Sequence, residues 1–186
     1  MAADPLIGKN IDGYIIERLL GRGGMARVYR GLDENLQRHV AVKVIDPKAG
    51  GDVDYRERFK REARAIAQLR HTNIVGVYRF GEVDSHYYMA MDFINGVDLA
   101  WVLDDYVKDR ALMPHKEILR IVNKVGRALD YSHLNGVIHR DIKPSNIMLD
   151  RTGEPILTDF GLVMITSEKT QGDVFGSPHY IAPEQA

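Results

Sequence analysis

Four polar side chains near the C-terminal part of the chain have types and spacing suited to one chemistry. Asp141, Lys143 and Asn146 share one short stretch, His139-Arg140-Asp141-Ile142-Lys143-Pro144-Ser145-Asn146, and Asp159 follows in Asp159-Phe160-Gly161. A loop carboxylate at Asp141 can take a proton from a substrate hydroxyl, and Lys143, two residues on, can neutralise charge on a group in transfer. Asn146 and Asp159 are hard oxygen ligands of the type Mg²⁺ prefers, and few are needed where phosphate oxygens and water complete the shell. Phosphoryl transfer asks mainly for positioning and charge neutralisation, so a sparse set of this kind suffices. Either triplet alone arises by chance in loops; both together, in this order and at these offsets, carry the assignment.

Two features upstream supply what that chemistry also needs. Lys43 lies in the apolar run Val40-Ala41-Val42-Lys43-Val44-Ile45, where period-two alternation puts it on one face with Ala41 and Ile45. Taken alone it reads as well as a lysine that snorkels to solvent as one held for function. Glu62 lies on the apolar stripe Phe59, Ala63, Ile66 and Leu69 or Arg70 of a helix expected over 54–70. Burying either charge alone is costly, whereas each supplies the partner the other lacks. The glycine cluster Gly21-Arg22-Gly23-Gly24-Met25-Ala26-Arg27-Val28 is weak evidence by itself, since such turns join hairpins everywhere. It lacks the following helix of a dinucleotide fingerprint and the Gly-Lys-Ser/Thr of a P-loop. Strand follows it instead, which makes it a hairpin whose bare backbone can approach phosphates.

The elements that must position these residues change character near Asn95. Strands are expected at 14–20, 27–32, 39–45, 74–80 and 87–94, with the one helix among them. Beyond Asn95-Gly96, Asp98 can cap a short helix to about Tyr106, and Pro114 opens a longer one to Leu134 with Gly136 as its stop. Ile118, Ile121, Val122, Val125, Leu129 and Leu134 keep helical spacing along it.

Bulk properties narrow the class further. The chain has 186 residues, 45% hydrophobic, with a formal net charge of -1, so no global field draws it to nucleic acid or anionic lipid. It has no cysteine, which excludes disulfides and thiolate metal sites and suits a reducing, cytoplasmic setting. The start, Met1-Ala2-Ala3-Asp4-Pro5, lacks the features of a secretory signal, and no apolar run approaches the roughly 20 residues of a membrane-spanning helix.

Together with Val-Ala-Val-Lys at 40–43 and Ala182-Pro183-Glu184, these motifs resemble the protein-kinase set, from Tyr14 to the last residue. Lys143 is similar to serine/threonine rather than tyrosine kinases, and Gly176 to Ala186 looks most like the bacterial, eukaryotic-like branch. The resemblance implies an α+β, two-lobe fold: residues 14–94 a five-stranded antiparallel ATP-binding lobe with one helix, residues 95–186 an incomplete helical lobe. It implies Asp141, Lys143, Lys43 and Glu62 as catalytic residues, and Asn146 and Asp159 as metal ligands. For ATP it implies Leu20, Val28, Ala41 and Met148 around adenine, Met91 as gatekeeper, Asp92 to Ile94 as hinge and Asp98 at the ribose. Gly21, Gly23, Gly24 and Ala26 would lie over the phosphates, with Ala26 a mild departure from the usual glycine. Ile66, Val77, His139 and Phe160 would stack as a spine. Thr166, Ser167, Thr170 and Ser177 are the candidate regulatory hydroxyls. ATP and Mg²⁺ are the implied cofactors, and the implied partner is a protein carrying Ser or Thr.

The resemblance also implies further helices after Glu184, so the chain is expected to be a fragment or a truncated product with apolar surface open to self-association. Two functions stay open at this point: an active serine/threonine kinase, and a nucleotide-binding or regulatory module that keeps the site without transferring phosphate.

Overall fold

A computed structural model describes residues 4–23, 26–45, 53–84, 86–160, 164–165 and 180, with the side chains of 53–56, 58–59, 62 and 164–165 left undescribed. The chain divides into two compact units, Met1–Ala63 with Gly76–Phe93 and Arg64–Val75 with Ile94–Ala186.

The first unit is a six-stranded antiparallel sheet. Its strands are β1 (Asn10–Ile11), β2 (Tyr14–Arg22), β3 (Ala26–Asp33), β4 (Arg38–Ile45), β5 (Val77–Val83) and β6 (His86–Asp92), ordered β1-β2-β3-β4-β6-β5. Strand alternation splits its residues between two faces. One face buries Ile11, Tyr14, Ile16, Tyr29, Val40, Val42, Val44, Tyr88 and Ala90 with Leu6 from the preceding segment. The opposite face carries Val28, Lys43 and Met89 in register, and beside them Ala41 opposite Met91. β-Branched and aromatic side chains fit that pleated, half-buried surface, which is why these segments are strands.

Two differences from the expected elements have identifiable causes. The sheet gains β1, a two-residue strand that folds back on Tyr14 and Ile15 across Asp12-Gly13. Both turn residues have positive φ, 53° and 92°, the conformation for which Asp-Gly is favoured in tight hairpins. The strand expected at 74–80 begins instead at Val77, because Ile74 bridges Leu157 and Val75 donates to the Leu157 carbonyl at 3.0 Å.

The helix α1 (Val53–Ala67) buries Ala63, Ala65 and Ile66, and Leu69 just beyond it. In the second unit, α2 (Leu99–Lys108) starts at Asp98, whose carboxylate accepts the Trp101 N–H at 2.8 Å. Its successor α3 (His115–Leu134) follows Pro114 and stops at Asn135, with Gly136 at φ 75°. It buries Ile121, Val125, Ala128 and Ser132, whereas Ile118, Val122 and Leu134 stay exposed. The apolar residues of α3 thus span more than one stripe, one buried and another exposed. No helix among the described residues is long and apolar enough to cross a membrane.

Short strands complete the second unit: β7 (Gly96–Asp98), β8 (Val137–Ile138), β9 (Ile147–Asp150), β10 (Pro155–Leu157) and β11 (Met164–Ile165). The sheet β10-β9-β7 sets Asp98 opposite Met148. Only glycine permits that pairing, since a Cβ on Gly96 would sit 1.8 Å from the Leu149 carbonyl oxygen. Gly96→Ala must therefore push β7 off β9, and we expect a loss of about 1–3 kcal/mol in urea unfolding. An unchanged midpoint would show that the ladder is not under that constraint.

Candidate active site

The loop after β8 is pinned from inside by His139. Its ring is 1% exposed, Nε2 donates to the Thr158 carbonyl at 2.9 Å, and Nδ1 accepts the Asp141 backbone N–H at 3.3 Å. Those partners select one neutral tautomer, and burial lowers the ring's pKa, which keeps it neutral. The fully buried Phe160 ring packs against it at 4.4 Å between centroids. One histidine thus links the loop to the residues on either side of Asp159.

Backbone turns then aim the side chains. Arg140 and Asp159 both adopt left-handed φ, 63° and 52°. Non-glycine residues take that region rarely, and such positions cluster at functional sites. Lys143 is the N-cap of a 3₁₀ turn over Pro144–Asn146, closed by the Asn146 N–H on the Lys143 carbonyl at 3.0 Å.

The result is a compact constellation. The Asp141 Oδ2 accepts from Lys143 Nζ at 2.7 Å and from Asn146 Nδ2 at 3.0 Å. Asn146 Nδ2 also donates to the Asp141 carbonyl at 2.8 Å, so Asn146 is 5% exposed yet satisfied. The carbonyl of Asn146 accepts from the Thr158 N–H at 2.9 Å and from Thr158 Oγ1 at 3.2 Å. Thr158 therefore holds both His139 and Asn146, a role for which the sequence carried no signal, since the work is done mostly by its backbone.

The Asn146 amide is planar, and with its nitrogen committed to Asp141 its oxygen points away from that residue. Asn146 and Asp159 supply hard oxygen donors suited to Mg²⁺. No group of three or more His, Cys, Asp or Glu that could hold a metal ion is found among the described residues.

In the first unit, Val28, Ala41, Lys43 and Met91 share one sheet face, with Lys43 half-buried among apolar neighbours. Gly21 pairs with Val28, Leu20 lies at an irregularity of β2 and is 39% exposed, and the Gly23 N–H closes on the Ala26 carbonyl at 2.9 Å. Asp92 ends β6. In the second unit Ile94 precedes β7, and Asp98 and Met148 are cross-strand partners. Gly24, the Glu62 side chain, Gly161, Thr166, Ser167, Thr170, Ser177 and Ala182-Pro183-Glu184 lie outside the described residues.

His139 makes the site pH-sensitive. Its folded pKa lies below the unfolded value, so the unfolded chain binds the extra proton first. Stability is complete above the ordinary histidine pKa, about 6.5, and falls as pH drops below it. His139→Gln should flatten that slope when urea midpoints are compared between pH 5 and 7.5; parallel slopes would remove His139 as the cause.

Comparison with known proteins matches this geometry. The family described as "Protein kinase domain" matches residues 14–186. The chain is 40% identical over 185 residues to the serine/threonine-protein kinase PrkC of Bacillus subtilis, covering 97% of this chain and 28% of that protein. It is 38% identical over 191 residues to PknA of Mycobacterium tuberculosis, covering 98% and 43%. The crystal structure of the M. tuberculosis PknI kinase domain superposes with a TM-score of 0.73 at 36% identity, over 83% of this chain and 62% of that one. The chain thus spans less than half the length of these two curated relatives. With the loop constellation and the two-faced sheet, the match over 14–186 shows that the chain belongs to the protein kinase family, and the curated relatives it resembles are bacterial serine/threonine-protein kinases.

Proposed function

We propose that the chain binds ATP with Mg²⁺ and transfers the γ-phosphate to serine or threonine hydroxyls of a protein substrate in the cytoplasm. The observation that carries this reading is the Asp141 carboxylate, whose Oδ2 accepts from Lys143 and from Asn146. That carboxylate is the group to accept the substrate hydroxyl proton, and a positioned base of this kind contributes about 10²–10⁴-fold. Lys143 places a fixed positive charge beside the acceptor, where charge on the transferring group develops. Asn146 and Asp159 are the residues that hold Mg²⁺, which when bound offsets the negative charge of the phosphates.

The remaining assignments follow residue by residue. Leu20, Val28, Ala41 and Met91 are the adenine-binding candidates of the first unit, and Met148 is that of the second. The backbone of Asp92 to Ile94 reads its edge, and Asp98 reaches the ribose while capping α2. Gly21, Gly23, Gly24 and Ala26 cover the phosphates, and Lys43 with Glu62 orients them. In this reading residues 14–94 form the ATP-binding lobe and 95–186 the substrate side. Phosphorylation at Thr166, Ser167, Thr170 or Ser177 would add a charge of the kind that pairs with an arginine such as Arg140. No described residue favours the alternative of a module that binds nucleotide without transferring phosphate.

The test is incubation with γ-labelled ATP, Mg²⁺ and a Ser/Thr-containing acceptor protein. Label recovered on serine or threonine is expected; a folded chain that binds ATP and labels nothing overturns the reading in favour of the binding module.

A further inference from the structure

One carboxylate at the end of β6 makes contacts that the phosphoryl-transfer chemistry does not use. β5 and β6 pair Val77 with Met91 and Arg79 with Ala90, so Tyr78 is the extra residue of a bulge. Bulges re-aim side chains and bend strands. This one directs the Tyr78 hydroxyl onto Asp92 Oδ1, to which it donates. The other oxygen, Oδ2, accepts the Gly76 N–H at 2.7 Å, while the Asp92 N–H returns a bond to the Gly76 carbonyl at 2.9 Å.

Three neighbours are shaped to this carboxylate. A Cβ on Gly76 would lie 2.7 Å from Asp92 Oδ2, so glycine is what lets the oxygen in. The Arg38 guanidinium lies 3.8 Å over the Tyr78 ring centroid, a cation–π contact that holds the ring. Burial, reinforced by the carboxylate, raises the Tyr78 pKa to about 12, so the hydroxyl keeps its proton and donates. On its other side Asp92 pairs with Val40 of β4, and residues 93–95 then leave the sheet.

We propose that the Asp92 side chain is a positioning group for nucleotide binding, tying Gly76 and Tyr78 to the end of β6 and so fixing the direction in which Phe93 and Ile94 present their backbone to adenine. This rests on the ATP-binding reading above. A sheet end held by three bonds on one edge and a strand on the other does not need the ligand to order it. That removes a conformational cost from binding rather than adding a contact.

Asp92→Ala is expected to raise the KM for ATP about tenfold, about 1.4 kcal/mol, with kcat unchanged, and to speed amide exchange at residues 93–95. Asp92→Asn keeps an acceptor for the Gly76 N–H and should recover most of the affinity, while Tyr78→Phe should shift KM in the same direction by less. An Asp92→Ala chain with a lower unfolding midpoint but unaltered KM, or with unaltered exchange at 93–95, overturns the proposal. If the wild-type chain bound no ATP, the phosphoryl-transfer reading would fall, whereas the exchange measurement would still decide whether the carboxylate orders 93–95.

Discussion

Replacing Asp141 by Asn is expected to slow phosphoryl transfer by about 10²–10⁴-fold and to leave ATP binding unchanged. Oδ2 of this side chain is reached by Lys143 at 2.7 Å and by Asn146 at 3.0 Å. An amide oxygen placed there keeps both as acceptor. The backbone bonds of Asp141, to His139 Nδ1 and from Asn146 Nδ2, do not involve the substituted atoms at all. The variant therefore keeps these bonds and removes the basicity and charge of the carboxylate. Rate measured under single-turnover conditions, beside an ATP titration, separates the two effects. Equal loss of rate and of nucleotide affinity would mean that the substitution had disturbed the loop rather than the proton acceptor.

Asn146→Asp is the second large effect, and its direction is not what ligand chemistry alone suggests. An aspartate offers Mg²⁺ a harder and charged oxygen, which taken alone should strengthen binding. Here, however, the nitrogen of Asn146 faces two oxygens of Asp141, at 2.8 and 3.0 Å. Putting a carboxylate oxygen there sets like charges a few ångströms apart, a repulsion on the order of 4 kcal/mol at the dielectric usual for partly buried pairs. The site relieves it by displacing Asp141 or by trapping a proton between the two groups. Either way the base is misplaced or spent, and a displacement of about 1 Å is enough for roughly 10²-fold in rate. Activity assayed across a Mg²⁺ series should stay low at saturation; full recovery with added Mg²⁺ would show that Asn146 acts as a ligand only.

Much of this site was legible before any coordinates because its information is local. Asp141, Lys143 and Asn146 fall within one loop and its closing turn, so their spacing survives in the sequence. Asp98 as a cap and Pro114 and Gly136 as boundaries of α3 follow from rules spanning three or four residues. What the sequence withheld is long-range or carried by backbone. Thr158 secures Asn146 and His139 through its carbonyl, amide and hydroxyl, and nothing about a threonine at the end of β10 announces that. The bulge at Tyr78 appears only when β5 and β6 are aligned, so nothing in the sequence near Asp92 announces the contacts of its carboxylate. Strand β1 was signalled by Asp12-Gly13, but two residues are too few for an alternation to show. Along α3, helical spacing identified apolar positions without saying which stripe is covered, and Ile118 and Val122 proved exposed.

The central claim is that the Asp141 constellation transfers phosphate to a hydroxyl. Its most direct test is phosphoamino-acid analysis after reaction with γ-labelled ATP and Mg²⁺, run on the wild-type chain and on Asp141→Asn at equal nucleotide occupancy. The account predicts phosphoserine or phosphothreonine from the wild type and at least about 10²-fold less from the variant. Equal labelling of the two, or label confined to tyrosine, would contradict it.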